Sequence, residues 1–127
     1  MIKIALSLDD GRKDNYRLAN EVLIPMQISA TFNITTDYVE NKAQEDAPCL
    51  NPAMSKEEII NLTRNSLFEV AGHGKRHNNG FENLIGGIKK LREWCDQDII
   101  GIASPNSGLS NNELLKEVNR YRAEGIS

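Results

Sequence analysis

Cysteine is scarce in this sequence. Two occur in 127 residues, Cys49 and Cys95, far apart and in no CxxC pattern. That argues against a disulfide framework and against a cysteine-rich zinc site. Two reduced thiols are expected instead, one in a loop and one on a helix. Histidine is equally rare, with two residues. No apolar run approaches the ~20 residues that a membrane-spanning helix requires. The opening MIKIALSLDD has neither the apolar core nor the small-residue cleavage site of a secretory leader, so the cytoplasm is the expected compartment. A basic excess is missing too: 15 Lys and Arg stand against 18 Asp and Glu, for a formal charge of -3. Lys89, Lys90 and Arg92 cluster, but Glu93, Asp96 and Asp98 dilute them. Neither a nucleic acid nor a membrane is therefore an expected partner. Repeats and low-complexity segments are also missing. With 39% hydrophobic and 26% charged residues, the chain reads as one globular domain, 1–127, long enough to build a core without staples.

The apolar pattern alternates between two periods. IKIALSL at 2–8, ISATFNI at 28–34, LFEVA at 67–71 and IIGIA at 99–103 read as buried strands. Between them, residues 14–24 carry Tyr16, Ala19 and Leu23 at helical spacing and end at Pro25. Residues 41–54 are polar with two prolines and read as a long loop. Ser55 followed by Glu58, and Ser110 followed by Glu113, are capping boxes. The first opens a helix to about Arg64. The second opens one with Leu114, Leu115, Val118 and Tyr121 inward and Gly125 at its C-cap. Residues 81–96 place Phe81, Leu84, Ile85, Ile88, Leu91 and Cys95 on one stripe, although Gly86 and Gly87 should weaken that helix by about 1 kcal/mol each. Strands alternating with helices imply a parallel α/β sheet. About four βα units are present, where a closed eight-fold barrel needs ~250 residues. The expected architecture is an open sheet or part of a barrel. The residues at 125–127 read as the start of a further strand.

Ligands of parallel α/β folds sit at the C-terminal ends of the strands. Three segments of this chain fall there: Asp9 and Asp10 after the first strand, His73 and His77 after the third, and Ser104, Pro105 and Asn106 after the fourth. The histidines of GHGKRH are four residues apart, a spacing that a helical turn would bring to one side. Two imidazoles and a carboxylate with an open position form a catalytic zinc arrangement, compatible with other divalent first-row metals. One of Asp9 and Asp10 would complete it, leaving the other free to take a proton from water. The plainer alternatives are an Asp-Gly turn, solvated loop histidines and a Ser-Pro turn.

Three of these segments also carry a resemblance. SLDDG resembles the T-F-D-D-G motif of the polysaccharide deacetylase family, the NodB-homology carbohydrate esterases. ISATFNI resembles that family's A-T-F-F strand. EVAGHGKRH resembles its strand into H-[S/T]-x-x-H. The order is the same, and the similarity spans most of residues 3–108. It implies a distorted (β/α) barrel, here incomplete at its C-terminal side, and hydrolysis of an N-acyl, usually N-acetyl, group on an amino sugar. Asp9 would be the general base, and Asp10, His73 and His77 would hold a divalent metal, most often zinc. Ser104, Pro105 and Asn106 would lie against substrate. The implied substrate is a saccharide precursor of the cytoplasm. The pattern departs at Gly74, where the family has Ser or Thr, and at Asn78, where it has Pro. The family's arginine-containing loop is replaced by ASPNSG at 103–108, so the arginine that braces the catalytic aspartate is missing. The later motifs, with a pocket tryptophan and a general-acid histidine, would lie beyond Ser127. A non-catalytic carbohydrate- or metal-binding relative is the alternative reading. An open sheet edge would be covered by a helix, a loop or a second copy, which makes a homo-oligomer an expected partner.

Overall fold

β-Branched and aromatic residues set the sheet. In the computed structural model, which describes residues 1–41 and 52–125, strands β1 (Ser7–Leu8), β2 (Ala30–Ile34) and β3 (Phe68–Gly72) run parallel in the order β1-β2-β3. Side chains alternate between the two faces of a strand, and here the faces differ. Leu6, Leu8, Ala30, Phe32, Ile34, Phe68 and Val70 join the hydrophobic core. Phe32 and Phe68 meet edge to face at 5.2 Å, a contact worth about 0.5–1.5 kcal/mol beyond area burial. The opposite face is polar. Ser7 pairs in register with Thr31 and Thr31 with Glu69, and the Thr31 hydroxyl donates to the Glu69 carboxylate at 3.2 Å.

The first strand is shorter than its isoleucine-rich pattern implies. Ile2 and Ile4 are both 88% exposed. The cause is length: β2 begins at Ala30, and the Thr31 N–H donates to Leu6 O at 3.0 Å, so residues before Leu6 have no strand beside them. The expected fourth strand over 99–103 is reduced to one parallel bridge, Gly72 with Ile102. Side chains occupy the rest of the ladder. Gln97 accepts from the Val70 N–H at 3.0 Å and donates to Phe68 O at 3.3 Å. The Arg92 guanidinium takes Ile99 O at 2.8 and 3.1 Å.

The helices follow their caps. Helix α1 (Lys13–Leu18) widens into a π turn at Ala19–Leu23, where the Ile24 N–H reaches Ala19 O at 2.9 Å just before Pro25. A short helix not foreseen, α2 (Thr36–Val39), follows β2 directly. Helix α3 (Lys56–Thr63) opens on the expected capping box, with the Glu58 N–H donating to Ser55 Oγ at 3.2 Å. Helix α4 (Phe81–Trp94) buries the expected stripe, and both α3 and α4 pack on β3. Helix α5 (Asn111–Ala123) opens on the second capping box. It packs on the start of α4, in a cluster of Phe81, Leu84, Ile85 and Tyr121 that Ile102 and Leu109 also join. Of its four expected inward residues, Tyr121 is buried, Leu114 and Val118 are half-buried, and Leu115 faces solvent. Gly125, at φ +76°, ends the helix as expected.

Cys95 is buried at the end of α4, where burial and the neighbouring Asp96 push its thiol up to about 11. It stays a protonated, unreactive group near neutral pH. Cys49, most of the 41–54 loop and residues 126–127 lie outside the described residues. Among the described residues no helix is long and apolar enough to cross a membrane.

Candidate metal centre

Two tight backbone loops at the C-terminal edge of the sheet carry the site. In the first, Asp10 and Gly11 both adopt positive φ, 78° and 86°. Two such residues in succession reverse the chain, and a glycine in the second place makes this accessible. The three carbonyls of the loop are all engaged. Asp9 O accepts from the Asn15 amide at 3.1 Å, Asp10 O from the Thr35 N–H at 3.3 Å and Gly11 O from the Met54 N–H at 2.8 Å.

The second loop leaves β3 at Gly72. Residues 73–80 are not a helical turn, so the spacing of His73 and His77 works differently from the expectation. Gly74, at φ +85°, folds the chain back, and β2–α2 receives it: the Thr36 N–H donates to Gly74 O at 3.1 Å and the Asp37 N–H to Lys75 O at 2.7 Å. Asn83 of α4 ties the loop from the other side. Its amide donates to Arg76 O at 2.7 Å and Asn78 O at 2.9 Å, and its side-chain oxygen accepts from the Arg76 N–H at 2.8 Å. The bend leaves the two imidazole rings 5.1 Å apart.

Asp10, His73 and His77 come together, each offering a ligand atom within 4.8 Å of the others. Asp10 Oδ1 lies 3.6 Å from His73 Nε2 and 3.5 Å from His77 Nε2. These separations exceed hydrogen-bond length. Two ligands each 2.0–2.1 Å from one tetrahedral zinc ion would sit about 3.3 Å apart. His73 is 1% exposed, and its Nδ1 lies 3.0 Å from Ala103 O. A carbonyl only accepts, so Nδ1 carries a hydrogen, which turns Nε2 inward as the atom that would meet an ion. Asp10 Oδ1 and His73 Nε2 are both buried and without a hydrogen-bond partner. Two converging acceptors with no donor between them fit a cation, so the residues present suit a divalent metal.

The other anticipated residues fall around this centre. Asp9 is exposed and next in sequence to Asp10. Ser104 and Pro105 are engaged by Asn79: the Ser104 hydroxyl lies 2.8 Å from Asn79 Oδ1, and the Asn79 amide donates to Pro105 O at 3.0 Å. Asn106 is exposed, at φ 54°. The direct contribution of this segment to the centre is the Ala103 carbonyl behind His73. Sequence patterns missed Asn33, Asn79 and Asn83, because a supporting amide has no characteristic spacing. Asn83→Ala should weaken zinc binding, because it releases the Arg76 and Asn78 backbone on either side of His77, while keeping α4, since alanine favours helix. Competition against a chelating dye measures it.

Sheet and centre together define a partial (β/α) barrel with a carboxylate–imidazole triad at the C-terminal ends of its first and third strands. No protein-family model matches the chain, and no curated protein matches its sequence. Solved structures do. A polysaccharide deacetylase from Bacillus cereus superposes with a TM-score of 0.73 at 24% identity, covering 93% of this chain and 37% of that one. A Streptococcus pyogenes deacetylase, PplD, solved in complex with acetate, gives 0.72 at 20% identity over 91% and 51%. The deacetylase domain of BpsB from Bordetella bronchiseptica gives 0.75 at 15% identity over 95% and 60%. The chain has the fold of these deacetylases and spans between about a third and three fifths of their lengths. The expected (β/α) architecture is thereby confirmed.

Proposed function

We propose that this chain carries the metal-holding half of a hydrolase that removes an N-acyl group, acetyl above all, from an amino-sugar derivative. The observation that carries this reading is the convergence of Asp10, His73 and His77 with two buried ligand atoms left unpaired. The deacetylase fold supports it. Asp10, His73 and His77 would hold the ion, zinc by the donor set, which when bound supplies Lewis-acid polarisation of the acyl carbonyl. The Ala103 carbonyl fixes the tautomer and direction of His73. Asp9, exposed beside the centre, accepts the proton of the attacking water. Ser104, Pro105 and Asn106 flank the same edge, where the sugar would rest.

Both histidines of the chain are consumed by the triad. That observation favours a second reading, a carbohydrate- or metal-binding relative without turnover. Incubation of zinc-loaded protein with N-acetylated glucosamine oligomers separates the two. Acetate release that stops on chelation supports the hydrolase. Stoichiometric zinc with no acetate supports the binding protein. Full activity from metal-stripped protein rules out both.

A further inference from the structure

Asn33 is 4% exposed and stands on the polar face of β2, where the rest of the strand, ATFNI, is apolar or β-branched. Its side-chain nitrogen lies 2.7 Å from Asp9 Oδ1 and 2.7 Å from Ser7 Oγ. An asparagine amide has two N–H groups, and both have an acceptor here. An ionised carboxylate only accepts, so the nitrogen rather than the oxygen of the amide must face Asp9. The register explains the meeting. Ser7 pairs with Thr31 and Leu8 with Phe32, so the next level sets Asp9 beside Asn33. Ser7 and Asp9, two apart, share one face of the strand.

Asp9 follows the last paired residue of a two-residue strand and is itself exposed. An exposed aspartate at such an end samples several rotamers. The amide of Asn33 is fixed by burial and by its second bond to Ser7, so it selects one of them. We propose that Asn33 is a positioning residue for Asp9, clamping one carboxylate oxygen and leaving the other directed to the reacting water. This deepens the hydrolase reading and rests on it for the catalytic consequence, while the clamp itself can be tested without turnover.

The test has two arms. In the first, the side-chain amide protons of Asn33 are followed by nuclear magnetic resonance in the metal-free full chain. One proton is expected downfield and slow to exchange, and Asp9→Ala should return it toward the shift of an ordinary asparagine. Resonances unmoved by Asp9→Ala overturn the proposal, whatever the activity. The second arm compares zinc-loaded parent with Asn33→Leu and Asn33→Ala, neither able to donate. Expected are a kcat about 100-fold lower, the scale of a misplaced reacting group, a KM within about twofold and unchanged zinc stoichiometry. A purely structural role would lower zinc content or raise KM instead. An unchanged kcat in both variants overturns the proposal. If the parent releases no acetate, the hydrolase reading fails and the resonance arm alone decides the clamp. That arm also decides if neither variant folds.

Discussion

His77→Ala protein should no longer retain zinc. The parent is expected to hold about one equivalent after dialysis against metal-free buffer, and the variant none. The loss should exceed the ~10–100-fold that removal of a supporting group costs, because a ligand itself is gone. His77 is the better choice of the two histidines. Its side chain is 18% exposed, whereas that of His73 is 1% exposed, so its truncation opens no hole in the core. Stability gives an independent readout. A ligand that binds only the folded state adds about 2.7 kcal/mol at 100 times its Kd, so zinc should raise the Tm of the parent and leave that of the variant in place. Equal zinc content in both proteins would leave the triad without function.

Gly87→Ala should damage fold and site together, against the ordinary preference of helices for alanine. A Cβ on Gly87 would stand 2.6 Å from the Gly74 carbonyl carbon and 2.8 Å from its oxygen. Both are backbone atoms of the loop that carries His73 and His77, and that loop is pinned by Thr36, Asp37 and Asn83. Relief requires moving either α4 or the loop, at an overpacking cost of about 1–3 kcal/mol. The expected result is a lower Tm and weaker zinc binding in the same protein. Gly86→Ala is the control. Its Cβ would meet the Lys75 side chain at 2.6 Å, a flexible stem that can swing aside. There the gain of about 1 kcal/mol from better helix propensity should appear as a higher Tm, with zinc binding unchanged. Thermal melts and zinc titrations of the two variants check both expectations.

These two glycines mark the limit of what the sequence reveals. Adjacent in one helix, they carry the same propensity penalty, and only the structure shows that one is a close approach and the other is not. Legibility varied with the kind of interaction. Capping boxes are local, and both Ser55–Glu58 and Ser110–Glu113 formed as read. The period of the apolar stripe in α4 and the β-branched runs of β2 and β3 were equally clear. Strand length was not, since it depends on the partner: Ile2 and Ile4 have the propensity but no neighbouring chain, and Gln97 occupies the ladder positions a fourth strand would have used. Leu115 fitted a helical stripe, but the cluster that α5 joins buries Tyr121 and leaves Leu115 exposed. His73, His77 and the Asp9–Asp10 pair were recognisable because carboxylates and imidazoles at strand ends are a chemical signature, and the resemblance to the deacetylase motif singled out Asp10. The amides behind them were not, because Asn33 and Asn83 matter only through the atoms they reach across the fold.

The two-residue first strand has a dynamic consequence. Asp10 lies just past an edge strand whose leading residues are solvated, while His73 follows β3, at the other side of the sheet, where α3 and α4 pack. An ion shared by positions 10 and 73 would be a clasp across β2, between the short, partly solvated side of the sheet and the side that helices cover. Loss of the ion would then free the N-terminal edge to open by itself, long before the helices around β3 let go.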